Sequence, residues 1–334
     1  MTAVAASSND LPQRHGGCLD DARRAFPDAP EPWLDLSTGI YPHPYPFSPP
    51  PPAAWHRLPE TGAVQHLEAA AARVYGVHDP SMVVAAPGTQ ALIQLLPRLF
   101  PLPCVRIIGP TYNEHAACWA AGGTAVSMID AASIAGPAGL VLCNPNNPDG
   151  QRHDPAMLAA LAGRCRLLVV DEAFADFEPG LTLAPRLPLP ATVVLRSFGK
   201  AYGLAGLRLG FALAEPGIAS LIRSALGPWA ISGPALAIGT QALDDTPWHA
   251  TAVTTAMALA DRLDRVLQDA GLTVLGGTTL FRFAAHPGAA ALASRLGAAG
   301  ILVRSFPTLP GCLRFGLPPD AAALARLAAA LGGG

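Results

Sequence analysis

The stretch SFGKAYGLAGLRLG, residues 197–210, combines the residue types that best indicate the fold and its chemistry. It follows the apolar run at 193–195, so it begins where a buried strand is expected to end. Ser197 stands three residues before Lys200, and Arg208 stands eight residues after it. Glycines in the stretch let backbone and ligand approach closely. The pattern predicts a ligand-binding loop at a strand end that carries a hydroxyl, an amine and a guanidinium.

Lys200 is the only lysine in the chain, since 21 of the 22 Lys and Arg residues are Arg. Arg replaces Lys wherever a generic cation is enough, but its guanidinium stays protonated and cannot act as a nucleophile. The one retained lysine therefore indicates a position that needs a primary amine. We predict that Lys200 is catalytic rather than an ordinary surface lysine.

Three further motifs stand upstream, each directly after an apolar run. In APGTQ, residues 86–90, backbone N–H groups and the Thr89 hydroxyl suit an anion, although an ordinary helix cap at Thr89 is the alternative. In NPNNPDG, residues 144–150, two prolines fix the direction of the amides, and a plain hydrophilic turn is the alternative. In VVDEAF, residues 169–174, Asp171 either caps a helix or faces a cationic ligand atom.

Short apolar runs alternate with helical patterns from residue 62 onward. This alternation, with strands apolar on both faces, predicts an α/β fold whose mostly parallel mixed sheet is flanked by helices. The expected strands are 82–86, 105–108, 140–143, 167–170, 193–195 and 208–212, and the expected helices are 62–75, 90–100, 113–121 and 155–164.

The pattern changes at both ends of the chain. Residues 1–55 are proline-dense and are predicted to form an irregular arm and linker. The family resemblance described below implies that this segment contributes to the active site and the small domain. Residues 56–244 are predicted to be the large ligand-binding domain. Residues 245–334 are predicted to be a small α+β domain, with a long helix through 257–267, strands at 273–275, 280–284, 301–304 and 313–315, and helices at 288–299 and from 319.

Charge and hydropathy exclude several partners. With 22 basic and 24 acidic residues the formal charge is −2, and no basic block is present to bind nucleic acid or an anionic membrane surface. Mean hydropathy is +0.32, but no apolar run reaches the roughly 20 residues that a membrane span needs. No secretory leader is recognised, so a cytoplasmic location is expected. The six cysteines lack metal-ligand spacing, so they are expected to be reduced and no metal site is predicted.

Taken in order, the four motifs resemble those of the fold-type I pyridoxal-phosphate (PLP) enzymes in the class I/II aminotransferase family, over about residues 30–330. The resemblance implies that Lys200 binds the cofactor aldehyde covalently, Asp171 pairs with the pyridine nitrogen and Tyr112 stacks on the ring, these three being the catalytic set. The cofactor-binding set that it implies is Gly88, Thr89, Gln90, Tyr112, Asn147, Asp171, Ser197, Lys200 and Arg208. Many relatives have Tyr where this chain has Phe174, so one hydrogen bond to the cofactor's phenolic oxygen is expected to be missing.

Within that family the N-terminal segments HGG (15–17) and WLDLSTGIYP (33–42), with DEAFADF (171–177), resemble the threonine-phosphate decarboxylases of cobalamin biosynthesis. This resemblance implies decarboxylation of L-threonine O-3-phosphate, a homodimer, and a product that passes to another corrinoid-pathway enzyme. The substrate-binding set that it implies is His15, Gly39, Asn147, Arg304 and Arg314. Cys18 and Tyr41 stand where relatives usually carry Asn.

Two other functions are compatible with the same cofactor residues. A histidinol-phosphate-type aminotransferase would need a keto acid as second substrate, whereas a decarboxylase would not. A cofactor-binding sensor or scaffold without catalysis is the other alternative.

Overall fold

The computed structural model describes residues 15–133, 138–178 and 180–332. Its contacts divide the chain into a large unit, residues 43–253, and a small unit made of the described parts of 1–42 and 254–334. Within the described residues, no helix is both long and apolar enough to cross a membrane.

Helices and strands alternate through most of the described chain. The helices are α1 (Leu19–Ala25), α2 (Ala53–His56), α3 (Thr61–Tyr75), α4 (Thr89–Leu99), α5 (Asn113–Ala121), α6 (Pro155–Leu161), α7 (Phe198–Ala201), α8 (Pro216–Leu226), α9 (Gly233–Asp244), α10 (Thr246–Asp269), α11 (Ala289–Ala298) and α12 (Ala321–Gly332). The strands are β1 (Leu34–Asp35), β2 (Val83–Ala86), β3 (Cys104–Ile108), β4 (Ala125–Ile129), β5 (Gly139–Cys143), β6 (Leu167–Asp171), β7 (Thr192–Ser197), β8 (Gly210–Ala214), β9 (Thr273–Thr278), β10 (Phe281–Ala285), β11 (Ile301–Leu302), β12 (Arg304–Ser305) and β13 (Cys312–Gly316).

The large unit is built on a seven-stranded sheet of order β2-β8-β7-β6-β5-β3-β4. The pairs among β4, β3, β5, β6 and β7 are parallel, and β8 is antiparallel to both of its neighbours. Every residue of β5, β6 and β7 is buried, as expected for strands covered on both faces. The prediction of an α/β fold with a mostly parallel mixed sheet is confirmed.

The parallel strands bring the sequence motifs to one edge of this sheet. β5, β6 and β7 run side by side in the same direction, with Cys143 opposite Asp171 and Asp171 opposite Leu195. Their carboxyl ends therefore meet at one edge, where ligands bind in open α/β sheets. The asparagine turn, Asp171 and the Lys200 segment all leave the sheet there.

The small unit has its own sheet, an antiparallel one of order β12-β13-β10-β9, and a separate parallel pair of β1 with β11. A close backbone approach explains one glycine of the HGG segment. A Cβ at Gly16 would lie 2.4 Å from the carbonyl oxygen of Ser37, while Gly17 N–H donates to Ser37 Oγ at 2.7 Å. Only glycine at position 16 allows this segment to lie against Ser37.

Some elements differ from those predicted. The described part of the arm is not wholly irregular, because it contains α1, β1 and the start of α2. The strand expected at 208–212 is β8, two residues later, because Arg208 adopts a left-handed conformation (φ 55°) that ends the preceding turn. β4 has the sequence AVSMI, in which Ser127 interrupts the apolar residues and no position is buried, and it was not predicted. α8 and α9 were also not predicted.

Candidate active site

One end of the site is formed by the first turn of α4 and the Arg208 side chain. Gly88 precedes the helix with φ 82°, and a Cβ there would lie 2.6 Å from Nη2 of Arg208. A Cβ at Gly210 would lie 2.8 Å from the backbone nitrogen of Thr89. The two glycines thus let a guanidinium and helix N-terminal amides converge, which is the arrangement that binds a phosphate. This supports the anion-site interpretation of the Gly88-Thr89 motif over a simple cap.

Lys200 lies in the single turn α7, directly after β7. Its Nζ donates to Oγ of Ser197 at 3.4 Å and lies 4.9 Å from the centre of the Phe174 ring. Lys200 is half-buried and Ser197 is buried. The Ser197 hydroxyl and the Phe174 ring therefore both contact the amine at the sheet edge.

Asp171 is the last residue of β6 and is 4% exposed. One carboxylate oxygen accepts from the Ala173 N–H at 3.0 Å, and the other lies 2.9 Å from Nε2 of His115. Burial acts to raise the pKa of Asp171, but the hydrogen bond and charge of His115, together with the charge of Lys200, lower it overall. Asp171 is thus an ionised carboxylate in a buried place, suited to a cationic ligand atom.

His115 is a site residue that the sequence analysis missed. Burial acts to lower its pKa, but hydrogen bonds to Asp171 and Cys143 outweigh this and raise the pKa to about 10. The imidazole is therefore protonated at neutral pH. No local pattern in the sequence marks His115, because its partner Asp171 lies on another element.

Tyr112 immediately precedes α5, and its ring meets that of His115 edge to face at 6.0 Å. Its hydroxyl donates to Oε1 of Gln90 at 3.2 Å, and Gln90 donates in turn to Glu114 at 3.0 Å. Burial raises the pKa of Tyr112 to about 12, so the phenol stays neutral. Gln90 therefore orients the Tyr112 ring through its hydroxyl.

In the asparagine turn, Asn144 and Asn146 stabilise the local structure, whereas Asn147 is the predicted ligand-binding residue. Asn144 is buried and bonds the backbone of His153 in both directions, at 3.0 and 2.9 Å. Asn146 is likewise committed to contacts inside the turn region. Asn147 is half-buried at the same strand end, which keeps it as the predicted ligand-facing amide.

The predicted substrate residues lie in the small unit, apart from Asn147. Arg304 and Arg314 are partners across the β12–β13 pair, and they are 7% and 6% exposed. Nη2 of Arg314 donates to the Ser37 carbonyl at 2.7 Å. Burial and the neighbouring charge of Arg304 lower the pKa of Arg314 to about 9, although Asp35 opposes them. Two adjacent buried guanidiniums favour an anionic ligand.

The remaining two predicted substrate residues lie in the arm. Gly39 is buried and His15 is exposed. Ser37, two residues before Gly39, joins the HGG segment to Arg314. Its Oγ accepts from the Gly17 N–H, and its carbonyl accepts from Arg314.

The fold and these residues place the protein in a class. Residues 31–331 match the family model for aminotransferase class I and II, and the chain belongs to this family. It is 46% identical to a threonine-phosphate decarboxylase from Sinorhizobium sp., over 95% of this chain and 97% of the relative. It is 41% identical to a threonine-phosphate decarboxylase from Pseudomonas aeruginosa, over 95% of this chain and 96% of the relative.

Among solved structures, the fold is similar to that of histidinol-phosphate aminotransferase from Sinorhizobium meliloti in complex with pyridoxal-5'-phosphate. The TM-score is 0.81 at 24% identity, covering 94% of this chain and 93% of that one. This likeness supports the fold assignment.

Proposed function

We propose that the protein is a PLP-dependent decarboxylase that converts L-threonine O-3-phosphate into (R)-1-aminopropan-2-ol O-2-phosphate and carbon dioxide. The observation that carries the proposal is the buried pair Arg304 and Arg314, which supplies two adjacent cations for a substrate that bears both a phosphate and a carboxylate. The near full-length similarity to two threonine-phosphate decarboxylases supports the same substrate. The reaction would belong to cobalamin biosynthesis in the cytoplasm, with the product passed to another corrinoid-pathway enzyme.

The large unit's residues fit PLP. The glycines let Arg208 and the α4 amides converge on a cradle for a phosphate, because a Cβ at Gly88 would collide with the Arg208 guanidinium and one at Gly210 with the Thr89 backbone nitrogen. Asp171 offers a buried negative charge to the ring nitrogen, and Lys200 offers the amine that an aldehyde requires. Bound PLP supplies an electron sink for the bond that is broken at the substrate Cα.

The residues of this chain have separate tasks in such a reaction. Arg314 would hold the substrate carboxylate with a planar two-pronged donor, and Arg304 would hold the phosphate. In the balanced reaction the bond from Cα to the carboxylate breaks, carbon dioxide leaves, and Cα takes up one proton. Lys200 is the candidate for delivering that proton, because its amine lies at the same sheet edge as Asp171.

Arg304 gives a test of the substrate phosphate. We expect Arg304→Gln to lower kcat/KM for threonine phosphate by roughly 10- to 150-fold, since a charged hydrogen bond contributes about 1.5–3 kcal/mol. The kcat/KM for unphosphorylated threonine, measured in parallel, should change little, whereas Arg314→Gln should lower both. Arg282→Gln is the control, because Arg282 lies in the same sheet, on β10, but is already paired with Asp264 of α10 at 2.6 Å. Equal losses for both substrates in Arg304→Gln would refute the phosphate assignment.

The competing activity is amino transfer by a histidinol-phosphate-type aminotransferase. The experiment compares two reaction mixtures of the cofactor-loaded protein: threonine phosphate without any keto acid, and histidinol phosphate with 2-oxoglutarate. Sustained turnover in the first mixture supports the decarboxylase. Turnover in the second mixture alone supports the aminotransferase, and turnover in neither supports a non-catalytic cofactor-binding protein.

We also propose that the protein is a homodimer formed by the large unit. The segment around α2 packs against the start of α9, where a Cβ at Gly233 would lie 2.1 Å from the Ala54 carbonyl. Three large apolar side chains near this contact are mostly exposed, with Trp55 at 69%, Leu58 at 65% and Trp229 at 58%. The family resemblance implies a homodimer, and we assign this apolar surface to the contact with the second copy of the chain.

Light scattering after gel filtration tests the dimer. We expect the wild-type protein to elute as a dimer and Trp229→Glu to shift the equilibrium toward the monomer. Burying an unpaired carboxylate at this interface has a large free-energy cost. Leu275→Glu is the control, since Leu275 is 55% exposed but lies in the small unit. A monomeric wild type, or a Trp229→Glu protein that dimerises normally, would contradict the proposal.

A further inference from the structure

A chain of polar side chains lies behind Asp171, and most of it has no part in the function proposed above. From the outer end it runs through Asp149, Asn146, Thr111, Cys143 and His115 to Asp171. All of these residues except Asp149 are buried. Each buried polar group in such a chain has few choices of hydrogen-bond direction, so the directions can be derived.

Asn146 fixes the direction at the outer end. Its Nδ2 lies 2.9 Å from the Pro110 carbonyl and 2.7 Å from Oδ1 of Asp149. Both of these partners are acceptors, so the amide uses both of its hydrogens on them. Its Oδ1 therefore accepts, and it lies 2.6 Å from Oγ1 of Thr111. The single hydroxyl hydrogen of Thr111 goes to Asn146.

The hydrogen bond from Thr111 to Asn146 also determines the direction of the hydrogen bond between Thr111 and Cys143. Its Oγ1 lies 3.1 Å from Sγ of Cys143, but its hydrogen is already committed. The pair can be satisfied only if the thiol S–H donates to the hydroxyl oxygen. The sulfur then has only lone pairs left for its other neighbours.

His115 is the neighbour on that side. Its ring nitrogen, the Cys143 sulfur and a carboxylate oxygen of Asp171 all lie within 4.8 Å of one another. The imidazole thus faces two acceptors, a carboxylate and a sulfur whose hydrogen points away. Two acceptors beside one ring nitrogen, one of them a carboxylate, stabilise the cationic imidazole relative to the neutral one.

We propose that Asn146, Thr111 and Cys143 are positioning residues that fix the hydrogens of the His115–Asp171 pair, so that His115 stays an imidazolium and Asp171 stays an ionised partner for the cofactor's ring nitrogen. The second half of this inference rests on the proposed role of Asp171. The first half concerns only the hydrogen-bond directions in this chain.

The pair of variants Thr111→Val and Thr111→Ser tests the relay in the cofactor-loaded protein. Valine has the shape of threonine but removes the hydroxyl, which leaves the thiol free to donate toward His115. We expect the pKa of His115, followed by NMR of the imidazole, to fall by about one unit or more, and cofactor dissociation to become roughly 10-fold faster. Thr111→Ser keeps the hydroxyl and should keep the pKa of His115 near its wild-type value.

A second pair keeps the test decisive if Thr111→Val does not fold. Cys143→Ala should lower the pKa of His115, and Cys143→Ser, whose hydroxyl can donate and accept like the thiol, should restore it. An unchanged pKa of His115 in Thr111→Val or Cys143→Ala would overturn the relay, as would equal shifts in the serine variants. Because these readouts need no substrate, a shifted pKa in a protein without decarboxylase activity would refute the proposed function and leave the relay standing.

Discussion

Replacing Lys200 with Ala is expected to remove the covalently bound cofactor and its visible absorbance, and to lower turnover by roughly 10³-fold or more. Lys200 is the only lysine in the chain, so no neighbouring lysine can take over the bond to an aldehyde. Absorbance spectra of the purified variant, with and without added PLP, measure the first effect. Turnover of threonine phosphate measures the second.

Because Lys200 is the only lysine, chemical labelling of this residue gives a control that does not depend on activity. Borohydride reduction of the wild-type protein should attach the cofactor to the peptide that contains Lys200, and mass spectrometry of the digest can locate it. The N-terminal amine is the other primary amine that such labelling could reach. Lys200→Arg keeps the charge without the nucleophile and should resemble Lys200→Ala. An unchanged visible spectrum in either variant would refute the assignment of Lys200.

Replacing Asp171 with Asn should have the second largest effect, because it removes the buried negative charge from the site. A charge-assisted hydrogen bond of about 1.5–3 kcal/mol corresponds to roughly 10- to 150-fold weaker cofactor binding. We expect turnover to fall further, since a ring nitrogen without a carboxylate partner is less readily protonated and then withdraws electrons less strongly. Equilibrium dialysis measures the affinity.

The pKa of His115 provides a second measurement of the effect of Asp171→Asn. Its pKa of about 10 depends on Asp171, while burial acts to lower it. In Asp171→Asn the carboxylate is gone and the burial remains, so the pKa of His115 should fall toward or below its ordinary 6.5. Asp171→Glu, which keeps the charge, is the matched control. A pKa of His115 that stays near 10 in Asp171→Asn would contradict the electrostatic role given to Asp171.

The sequence predicts the large unit well where strands are buried on both faces. β5, β6 and β7 are recognisable because every position is buried and each strand contains an unbroken apolar run, at 140–143, 167–170 and 193–195. β4 is mostly exposed and carries no such signal. Local patterning predicts strands whose residues are buried in the core, including the edge strand β2, and it gives little information about an exposed strand such as β4.

The residues of the candidate site also differ in how well the sequence predicts them. Lys200 and Asp171 stand at strand ends in distinctive motifs, so their place at one sheet edge follows from parallel topology. His115 and Cys143 carry no local signal, because the chemistry of each depends on a neighbour on another element. The spacing of the cysteines gave no indication of a His115–Cys143–Asp171 cluster, which forms only when β5, β6 and α5 come together.

The positions that differ from the relatives' usual residues can now be placed. Phe174 presents its ring to Lys200 at 4.9 Å, so the phenol that relatives carry is replaced by an apolar face beside the amine. Tyr41 is 4% exposed, and burial raises the pKa of its phenol, so it belongs to the packed interior of the small unit. Cys18 immediately precedes α1. The Phe174 change is the one that lies against a predicted catalytic residue.

The central claim is that this site breaks the bond between Cα and the carboxylate and then protonates Cα. The most direct measurement is mass spectrometry of the product formed from L-threonine O-3-phosphate in deuterated water, with cofactor-loaded protein and no keto acid. We expect many turnovers to aminopropanol phosphate with one deuterium at the former Cα and equimolar carbon dioxide. Intact substrate in that mixture, with amino transfer from histidinol phosphate once 2-oxoglutarate is supplied, would contradict it.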